Sequence, residues 1–250
     1  MIISKRNAFT RILFILTGFT VFFSVLSAMP TPSVPSAPVR DTAVVSAPVD
    51  ANSALYETLN LDSLELSRTA FDAALKGYYK LVEDGAVLKN DVLSIVDFSL
   101  PSSKKRLFVL DLESGGLLFN TYVSHGRNSG VDRATRFSND INSFKSSLGF
   151  YITGNTYKGQ HGYSLKLLGQ EKGINDNAFE RGIVIHAADY VNEKLVATQG
   201  YIGRSLGCPA LPVKLYKPII REIKDGSCLF VYAPDTAYTT SSTVLGKGRA

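Results

Sequence analysis

The segment from residue 183 to residue 211 has the sequence IVIHAADYVNEKLVATQGYIGRSLGCPAL, and it decides how the rest of the chain is interpreted. Its β-branched start predicts a strand that delivers His186 near its end. Glycine, serine and proline residues surround Cys208, which predicts a turn that exposes this side chain. Pro212 follows directly and predicts the start of a helix. The segment therefore predicts a strand, a turn that carries a thiol, and a helix in close succession.

A cysteine and a histidine at separate positions are the minimal side chains for acyl transfer through a thioester. The predicted helix N-terminus and the positive Arg204 favour the thiolate form of Cys208. The backbone N–H groups of Gly207 and Cys208 are expected to face a developing oxyanion. These residues alone leave an alternative open, in which a small cysteine is buried in a glycine turn and His186 has a structural role.

Outside this segment, the apolar pattern predicts a mainly β fold with few helices. Residues 63–84 are predicted to form an amphipathic helix because apolar residues recur every three or four positions, and a helical turn is predicted at 54–59. The sequence ESGG at residues 113–116 predicts a hairpin turn. One late helix is predicted at 213–224. Strands are predicted at residues 92–98, 106–112, 117–123, 149–153, 163–168, 183–187 and 228–233.

The N-terminus is typical of a secretory signal peptide. Three basic residues precede an apolar stretch at residues 12–26, and the small residues Ser27 and Ala28 follow. We expect cleavage after Ala28; the alternative is an uncleaved anchor that holds the rest of the chain outside the membrane. The protein is therefore expected to be exported to the periplasm or cell envelope. It would contact a membrane only through residues 1–28, if these are retained.

Charge and cysteine content exclude several classes of protein. The chain has 27 Lys and Arg residues and 22 Asp and Glu residues, a formal net charge of +5. Residues 1–28 hold three of the basic residues and no acidic one, so their removal leaves 24 basic and 22 acidic residues. No basic run with interleaved aromatics remains, and a nucleic-acid partner is not expected. With only two cysteines, a scaffold of several disulfides is excluded.

Composition divides the chain after residue 28 into four segments. Residues 29–54 contain five of the ten prolines and are predicted to be a linker. Residues 55–90 are predicted to form a helical preface, and residues 91–234 one mainly β domain of catalytic size. Residues 235–250 are rich in Ser and Thr and are predicted to be a flexible tail. The oligomeric state is not predicted.

Several motifs together resemble one family, the L,D-transpeptidase (YkuD-like) domains, in which a histidine precedes a Ser/Thr-His-Gly-Cys signature. The matching residues here are His186 and the sequence SLGC at 205–208. The resemblance is closer to the subgroup of murein L,D-transpeptidase catalytic-domain-like proteins. It implies a YkuD-like mixed β-sandwich catalytic domain with a short helical N-terminal preface and one late helix. The shared motifs are HGYSL at 161–165, IVIHAADYV at 183–191, GRSLGCPA at 203–210, VSHGRNSG at 123–130, FSN at 137–139 and SSLGFY at 146–151.

Carried over residue by residue, the resemblance implies that Cys208 is the nucleophile and His186 the base, with the Ala187 carbonyl orienting the imidazole. Gly207 and Cys208 would supply the oxyanion N–H groups. Substrate-binding roles are implied for Arg204, Ser205, His161 and Tyr163. Two positions depart from the broader family, since Leu206 replaces a histidine and Ala210 replaces an arginine. We expect Arg204 to supply the missing positive charge for a peptide carboxylate.

The implied activity is that of an exported cysteine acyltransferase. A thioester on Cys208 would form from a stem tetrapeptide of peptidoglycan and pass to an amine acceptor, so stem peptides are the expected partners. No metal and no organic cofactor is implied. Two alternatives remain open: an L,D-carboxypeptidase or other thiol hydrolase on the same polymer, and a noncatalytic wall-binding module. Retention of both Cys208 and His186 argues against the binding module.

The other cysteine and histidine are interpreted as structural. His125 is assigned a role at a strand end rather than that of a competing base. Cys228 alternates with aromatic residues and is predicted to lie in the core, although a bridge between Cys208 and Cys228 is not excluded by sequence. A zinc site built from His161, His186 and Cys208 lacks the short ligand spacing of common zinc motifs.

Overall fold

The structure of the protein is a computed structural model that describes residues 49–86, 88 and 91–246. The predicted signal peptide or anchor and most of the predicted linker lie outside these residues. The helices are α1 Val49–Thr58, α2 Arg68–Glu83, α3 Glu193–Gln199, α4 Tyr216–Ile223 and α5 Thr236–Ser241, with a short 3-10 helix at Asp176–Ala178. The strands are β1 Val92–Asp97, β2 Leu107–Asp111, β3 Gly116–Thr121, β4 Gly149–Gly159, β5 Gly162–Gly169, β6 Val184–Ala187, β7 Ala210–Leu211 and β8 Cys228–Tyr232.

The eight strands form one mixed sheet in the order β3-β2-β1-β8-β4-β5-β6-β7. β1 pairs with β8 and β6 pairs with β7 in parallel, whereas the other neighbours are antiparallel. Every residue of β1 and of β8 is buried, as expected for strands in the middle of a covered sheet. The predicted mainly β, YkuD-like fold with a helical preface and a late helix is confirmed.

The helical preface shares its core with the sheet. α2 begins after Ser67, whose hydroxyl accepts a hydrogen bond from the N–H of Ala70 at 3.4 Å, so the helix starts later than residue 63. It ends just before Gly85, whose φ of +81° suits glycine at this position. The buried face of α2 packs into the core through Ala70, Phe71, Ala74, Leu75, Gly77, Tyr78 and Leu81.

The boundary between the predicted linker and the preface differs from the structure. α1 begins at residue 49, so the linker does not extend to residue 54. Tyr56 of α1 packs edge-on against Phe71 of α2, with ring centroids 5.2 Å apart. Arg68 also donates a hydrogen bond to the Ser53 hydroxyl at 2.7 Å. The helical turn predicted at 54–59 thus overlaps the C-terminal half of α1, a longer helix that these contacts with α2 stabilise.

The predicted flexible tail at residues 235–250 is corrected by the structure over its described part, residues 235–246, whereas residues 247–250 lie outside the described residues. Residues 236–241 form α5, which begins after Asp235, and the Asp235 carboxylate accepts a hydrogen bond from the N–H of Tyr238 at 2.9 Å. The Tyr238 side chain is buried, and its hydroxyl donates to the buried Glu171 carboxylate at 3.1 Å. One anchored aromatic side chain therefore orders a segment whose composition suggests disorder.

The segment at residues 183–211, which carries His186 and Cys208, contributes the last two strands at one edge of the sheet. β7, which the sequence did not predict, is only two residues long and completes the sheet beside β6. α3, also not predicted, lies between these strands in the chain and buries none of its residues. None of the described helices has both the length and the apolar content needed to cross a membrane.

Candidate active site

His186 lies near the end of β6, and its side chain is almost completely buried. Nδ1 lies 2.8 Å from the carbonyl oxygen of Ala187, the contact that the resemblance implied. Because a carbonyl oxygen only accepts hydrogen bonds, Nδ1 carries the proton of the neutral ring and Nε2 is left as an acceptor. Burial lowers the pKa of His186, and the nearby His161 lowers it further, although the bond to Ala187 acts in the opposite direction. His186 therefore rests as a neutral imidazole oriented to act as a base.

A cleft of about 350 Å³ opens beside His186. His161 stands at the tip of the hairpin between β4 and β5, and its ring stacks on that of His186 with centroids 4.3 Å apart. Tyr163 does not line the cleft; it packs against the main core instead. Of the two residues that the HGYSL motif suggested for substrate binding, the structure brings only His161 to the site. We call this feature the His186 cleft, lined by His161, His186, Ala187, Ala188, Asp189, Tyr190 and Val213.

Cys208 is positioned by the parallel pairing of β6 and β7. His186 is paired with Ala210, and just before β7 the Cys208 thiol forms a hydrogen bond with the backbone of Val184. The thiol is half-buried, and Sγ lies 3.6 Å from the carbonyl oxygen of Gly182. Within the described residues no hydrogen bond joins the thiol to the imidazole of His186. The nucleophile and the base therefore share one edge of the sheet without a preformed contact.

The thiol is not biased toward thiolate in the way that the sequence suggested. Burial raises the pKa of Cys208, while a backbone hydrogen bond at Val184 and the guanidinium of Arg181 lower it. Arg204 has no part in this balance, because its side chain donates to the carbonyl oxygens of Arg127 and Gly130, at 3.4 and 3.2 Å. The cation beside the Cys208 thiol is thus Arg181, so the predicted effect of Arg204 on the thiol is corrected, whereas its predicted binding of a substrate carboxylate stays a prediction.

Arg181 is a functional residue that the sequence reasoning missed. Its guanidinium donates to the carbonyl oxygens of Ser138 at 2.9 Å and Lys145 at 2.6 Å, which fixes the loop beneath the cysteine turn. A Cβ on Gly207 would lie 2.9 Å from the same Lys145 oxygen, so loop and turn are in close contact. An arginine five residues before His186 carries no local signal for this role, which depends on the fold of the loop.

The turn that carries Cys208 is held by the Ser205 hydroxyl. This hydroxyl donates to the Cys208 carbonyl oxygen at 2.6 Å and accepts a hydrogen bond from the N–H of Gly207 at 3.1 Å. The Gly207 N–H is therefore already used and is not free for an oxyanion, contrary to the prediction. Ser205 is buried and stabilises the turn, and its predicted contact with substrate stays a prediction. The Cys208 N–H forms no hydrogen bond within the part of the chain that the structure describes, and it remains the candidate donor.

The two departures from the family signature have different surroundings. Leu206 is exposed, with 57% of its surface accessible, so its side chain leaves the turn open to solvent. Ala210 is fully buried in β7, where an arginine side chain would have no room without rearrangement. The small residue at position 210 therefore belongs to the packing of this sheet edge.

His125 has the structural role that was predicted for it. Its ring is fully buried, with Nδ1 2.7 Å from the guanidinium of the buried Arg106. Burial and the neighbouring positive charge lower the pKa of His125 to about 3. Arg106 also donates to the Val123 carbonyl oxygen at 3.0 Å, so this pair holds the loop after β3, which contacts the cysteine turn where the Ser205 N–H donates to the His125 carbonyl oxygen at 2.9 Å.

The two cysteines have separate environments and form no disulfide. Cys228 is fully buried in β8, as predicted, and burial raises the pKa of its thiol far above the usual range. In the described ranges, no group of three or more His, Cys, Asp and Glu side chains is arranged to hold a metal ion.

The comparison with protein families identifies the chain. The family described as L,D-transpeptidase catalytic domain (YkuD_2) matches residues 62–232, which is more than half of the sequence. The chain therefore belongs to this family. No curated protein is a significant match to the chain.

Solved structures with low sequence identity match parts of the chain. An L,D-transpeptidase from Mycobacterium smegmatis is 16% identical, with 58% of this chain and 59% of that chain covered and a TM-score of 0.36. An L,D-transpeptidase from Stackebrandtia nassauensis is 16% identical, with 74% and 78% covered and a TM-score of 0.35. The helical cell shape determining protein Pgp2 from Campylobacter jejuni is 14% identical, with 64% and 56% covered and a TM-score of 0.37. The chain thus spans less than two thirds of the first of these proteins.

Proposed function

We propose that the protein is an exported cysteine acyltransferase of the peptidoglycan L,D-transpeptidase type. The observation that carries this proposal is the pairing of β6 with β7, which sets Cys208 and the neutral imidazole of His186 along one sheet edge beside an open cleft. Membership of the L,D-transpeptidase catalytic domain family supports stem peptides of peptidoglycan as the substrate.

The reaction follows from the protonation states of the two groups. Nε2 of His186 takes the proton of Cys208 as Sγ attacks the carbonyl of the L-configured centre that precedes the terminal D-Ala. The carbonyl oxygen becomes an oxyanion and accepts a hydrogen bond from the Cys208 N–H. The C–N bond breaks, and the D-Ala amine leaves with the proton from His186. A thioester remains on Sγ.

The second half of the reaction reverses these proton transfers. An amine of another stem peptide attacks the thioester carbonyl and loses a proton to His186, and the thiol of Cys208 is regenerated when the C–S bond breaks. The product is a cross-link. Water in place of the amine would give a tripeptide, which is the carboxypeptidase alternative.

Purified full-length protein incubated with tetrapeptide-containing muropeptides tests the proposal, with products followed by mass spectrometry. We expect a cross-linked dimer and a Cys208 adduct on the protein. Tripeptide as the only product would support the hydrolase alternative. If the reduced protein forms neither dimer nor tripeptide, the binding-module alternative is supported. Cys208→Ala is expected to abolish product formation, and Cys228→Ala serves as the matched control that retains it.

Export is the remaining part of the proposal. The basic residues and the apolar stretch before Ala28 support it. N-terminal sequencing of the protein recovered from producing cells is expected to start at Met29. A chain that is retained whole in the cytoplasmic fraction would contradict export.

A further inference from the structure

A second groove opens beside Cys208, away from the His186 cleft along β6. Its volume is about 90 Å³. The carbonyl of Gly182, which lies 3.6 Å from Sγ of Cys208, belongs to a residue that lines this groove. We call it the Lys166 groove, lined by Tyr157, Lys166, Leu167, Phe179, Gly182, Ile183 and Val184.

The groove and the His186 cleft follow one another along β6. Lys166 of β5 is paired with Val184 of β6, and the backbone of Val184 forms a hydrogen bond with the Cys208 thiol. His186 lies two residues further along β6, on the same face of the strand as Val184. Residues 182–184 line the Lys166 groove and residues 186–190 line the His186 cleft, and the thiol contacts the groove end of this segment through the Gly182 carbonyl.

The groove presents a positive charge between two aromatic rings. The Lys166 ammonium lies 5.7 Å from the ring centroid of Tyr157 and 5.6 Å from that of Phe179. Phe179 is 61% exposed and Tyr157 40% exposed, so neither ring is used to build the core. Among the residues that the structure describes, no carboxylate forms an ion pair with Lys166. An ammonium held in place without a counter-ion is suited to an anionic ligand.

Proton transfer decides which part of the substrate reaches this groove. His186 must protonate the leaving amine and deprotonate the attacking amine, so both amines occupy the His186 side of Cys208. The acyl part of the donor peptide is attached to the other side of the reacting carbonyl. It therefore extends away from His186, toward Lys166.

We propose that the Lys166 groove binds a carboxylate on the acyl part of the donor peptide, and this proposal rests on the proposed function. The groove, of about 90 Å³, has room for a carboxylate and an adjoining methylene group. The ammonium pairs with the carboxylate, and the rings of Tyr157 and Phe179 cover the aliphatic part.

The acylation test compares two tetrapeptide donors, one with free carboxylates on the acyl side of the scissile bond and one with these carboxylates amidated. Adduct formation on Cys208 is followed by intact-protein mass spectrometry. Lys166→Met is expected to slow acylation by the free donor roughly tenfold, the effect of losing one charge-assisted contact. It is expected to leave the amidated donor unaffected, and Lys166→Arg is expected to restore most of the rate. Equal rates for wild type and Lys166→Met with the free donor would overturn the proposal.

The matched control is Lys217→Met, because Lys217 also lies over a tyrosine ring, that of Tyr216, but lines neither groove nor cleft. This variant should acylate at the wild-type rate with both donors.

A binding test separates the groove from the chemistry. Binding of the stem tripeptide to Cys208→Ala protein is measured by calorimetry, with and without the added Lys166→Met substitution. We expect roughly tenfold weaker binding when Lys166 is replaced. If the wild type forms no adduct but this difference persists, the proposed function fails and the groove assignment stands. No difference in binding overturns the groove assignment.

Discussion

The Cys208 thiol and the His186 imidazole, whose pKa values shift in opposite directions, both lie at the edge of the sheet. Burial raises the pKa of the Cys208 thiol and lowers the pKa of the His186 imidazole. Each group therefore rests in its neutral form at neutral pH, as a thiol and an imidazole rather than an ion pair. Proton transfer is then coupled to the attack on the substrate carbonyl, which explains why the resting site needs no hydrogen bond between them.

The reactivity of Cys208 provides a prediction about Arg181. The Arg181 guanidinium lowers the pKa of the thiol, so Arg181→Met should shift the pH dependence of alkylation further toward alkaline values. In the wild type, alkylation by iodoacetamide should rise with pH only above the usual cysteine range, since the thiolate is the reactive form. Adduct formation measured by mass spectrometry over about pH 6 to pH 11 gives both profiles.

Arg204→Met serves as the control for a cation outside the site and should leave the alkylation profile unchanged. Arg181→Lys keeps the charge and should fall close to the wild type. An inflection below the usual cysteine range in the wild type, or an equal shift in Arg204→Met, would contradict the assignment.

A second prediction concerns the glycine before the nucleophile. Gly207 has a φ of +127°, and a Cβ there would lie 2.9 Å from the Lys145 oxygen and 3.0 Å from the Ile183 Cδ1 atom. Gly207→Ala should therefore lower the free energy of unfolding by about 2 to 4 kcal/mol, from backbone strain plus the close contacts.

Gly173→Ala isolates the backbone contribution, because Gly173 has a φ of +79° and nothing within 4 Å of the added Cβ. Denaturant unfolding of both variants gives the comparison. If Gly207→Ala lowers the free energy of unfolding no more than Gly173→Ala does, the close contact between the Lys145 loop and the cysteine turn is not the reason why glycine occupies position 207.

At this scale the sequence indicates the proposed nucleophile and base but not the residues that surround them. Cys208 and His186 stand in recognisable motifs, because reacting groups are tied to particular residue types. Arg181 and the occupied Gly207 N–H could not be found in this way. Their roles depend on which loop folds beneath the turn, and the Ser205 hydroxyl that takes the N–H reaches it only in the folded turn.

At the scale of single elements, α2 is shaped by one close contact with the sheet. A Cβ on Gly77 would lie 1.9 Å from the ring of Phe150, which is itself stacked on Phe230 with centroids 4.2 Å apart. The ring therefore occupies the space that a side chain at position 77 would take. Glycine is present in the middle of this helix for close packing, at the cost of helix propensity.

Gly77→Ala should destabilise the protein although alanine is the better helix former. The helix gains about 1 kcal/mol from alanine, but overpacking against the Phe150 ring costs about 1 to 3 kcal/mol or more. We expect a net loss in thermal or denaturant unfolding. In a double-mutant cycle, Phe150→Leu should remove part of the penalty of Gly77→Ala. A net gain in stability for Gly77→Ala alone would show that the ring moves aside freely.

Elements with a strong local period were predictable, and those defined by distant contacts were not. The apolar spacing of α2 and the β-rich run of β8 identify both in the sequence. α5 depends on Tyr238 reaching Glu171, which is 67 residues away in the chain, and β7 exists because two residues pair with β6. No local pattern encodes such partners.

At the scale of the whole molecule, the last strand of the sheet occupies its centre. β8 pairs with β1 on one side and with β4 on the other, so the two halves of the sheet are joined only after the chain is nearly complete. Sequence indicates the strands but not their order, because the pairing of β1 with β8 is non-local and leaves no periodic signal.

This order predicts how amide protection is distributed. Native-state hydrogen exchange should show that β8 exchanges only through global unfolding, because all five of its residues are buried. α3 should exchange through local opening at much lower free energy, because none of its residues is buried. Equal protection of β8 and α3 across a denaturant series would contradict this picture.

The hairpin of β4 and β5 contributes to both sides of the nucleophile. Its tip carries His161, which stacks on the base, and its strands carry Tyr157 and Lys166 of the second groove. Substitutions or length changes in this one supersecondary unit would therefore alter the surroundings of Cys208 and His186, which both lie outside it. Divergence among relatives could proceed here by exchange of a single contiguous module, with the reaction chemistry inherited unchanged.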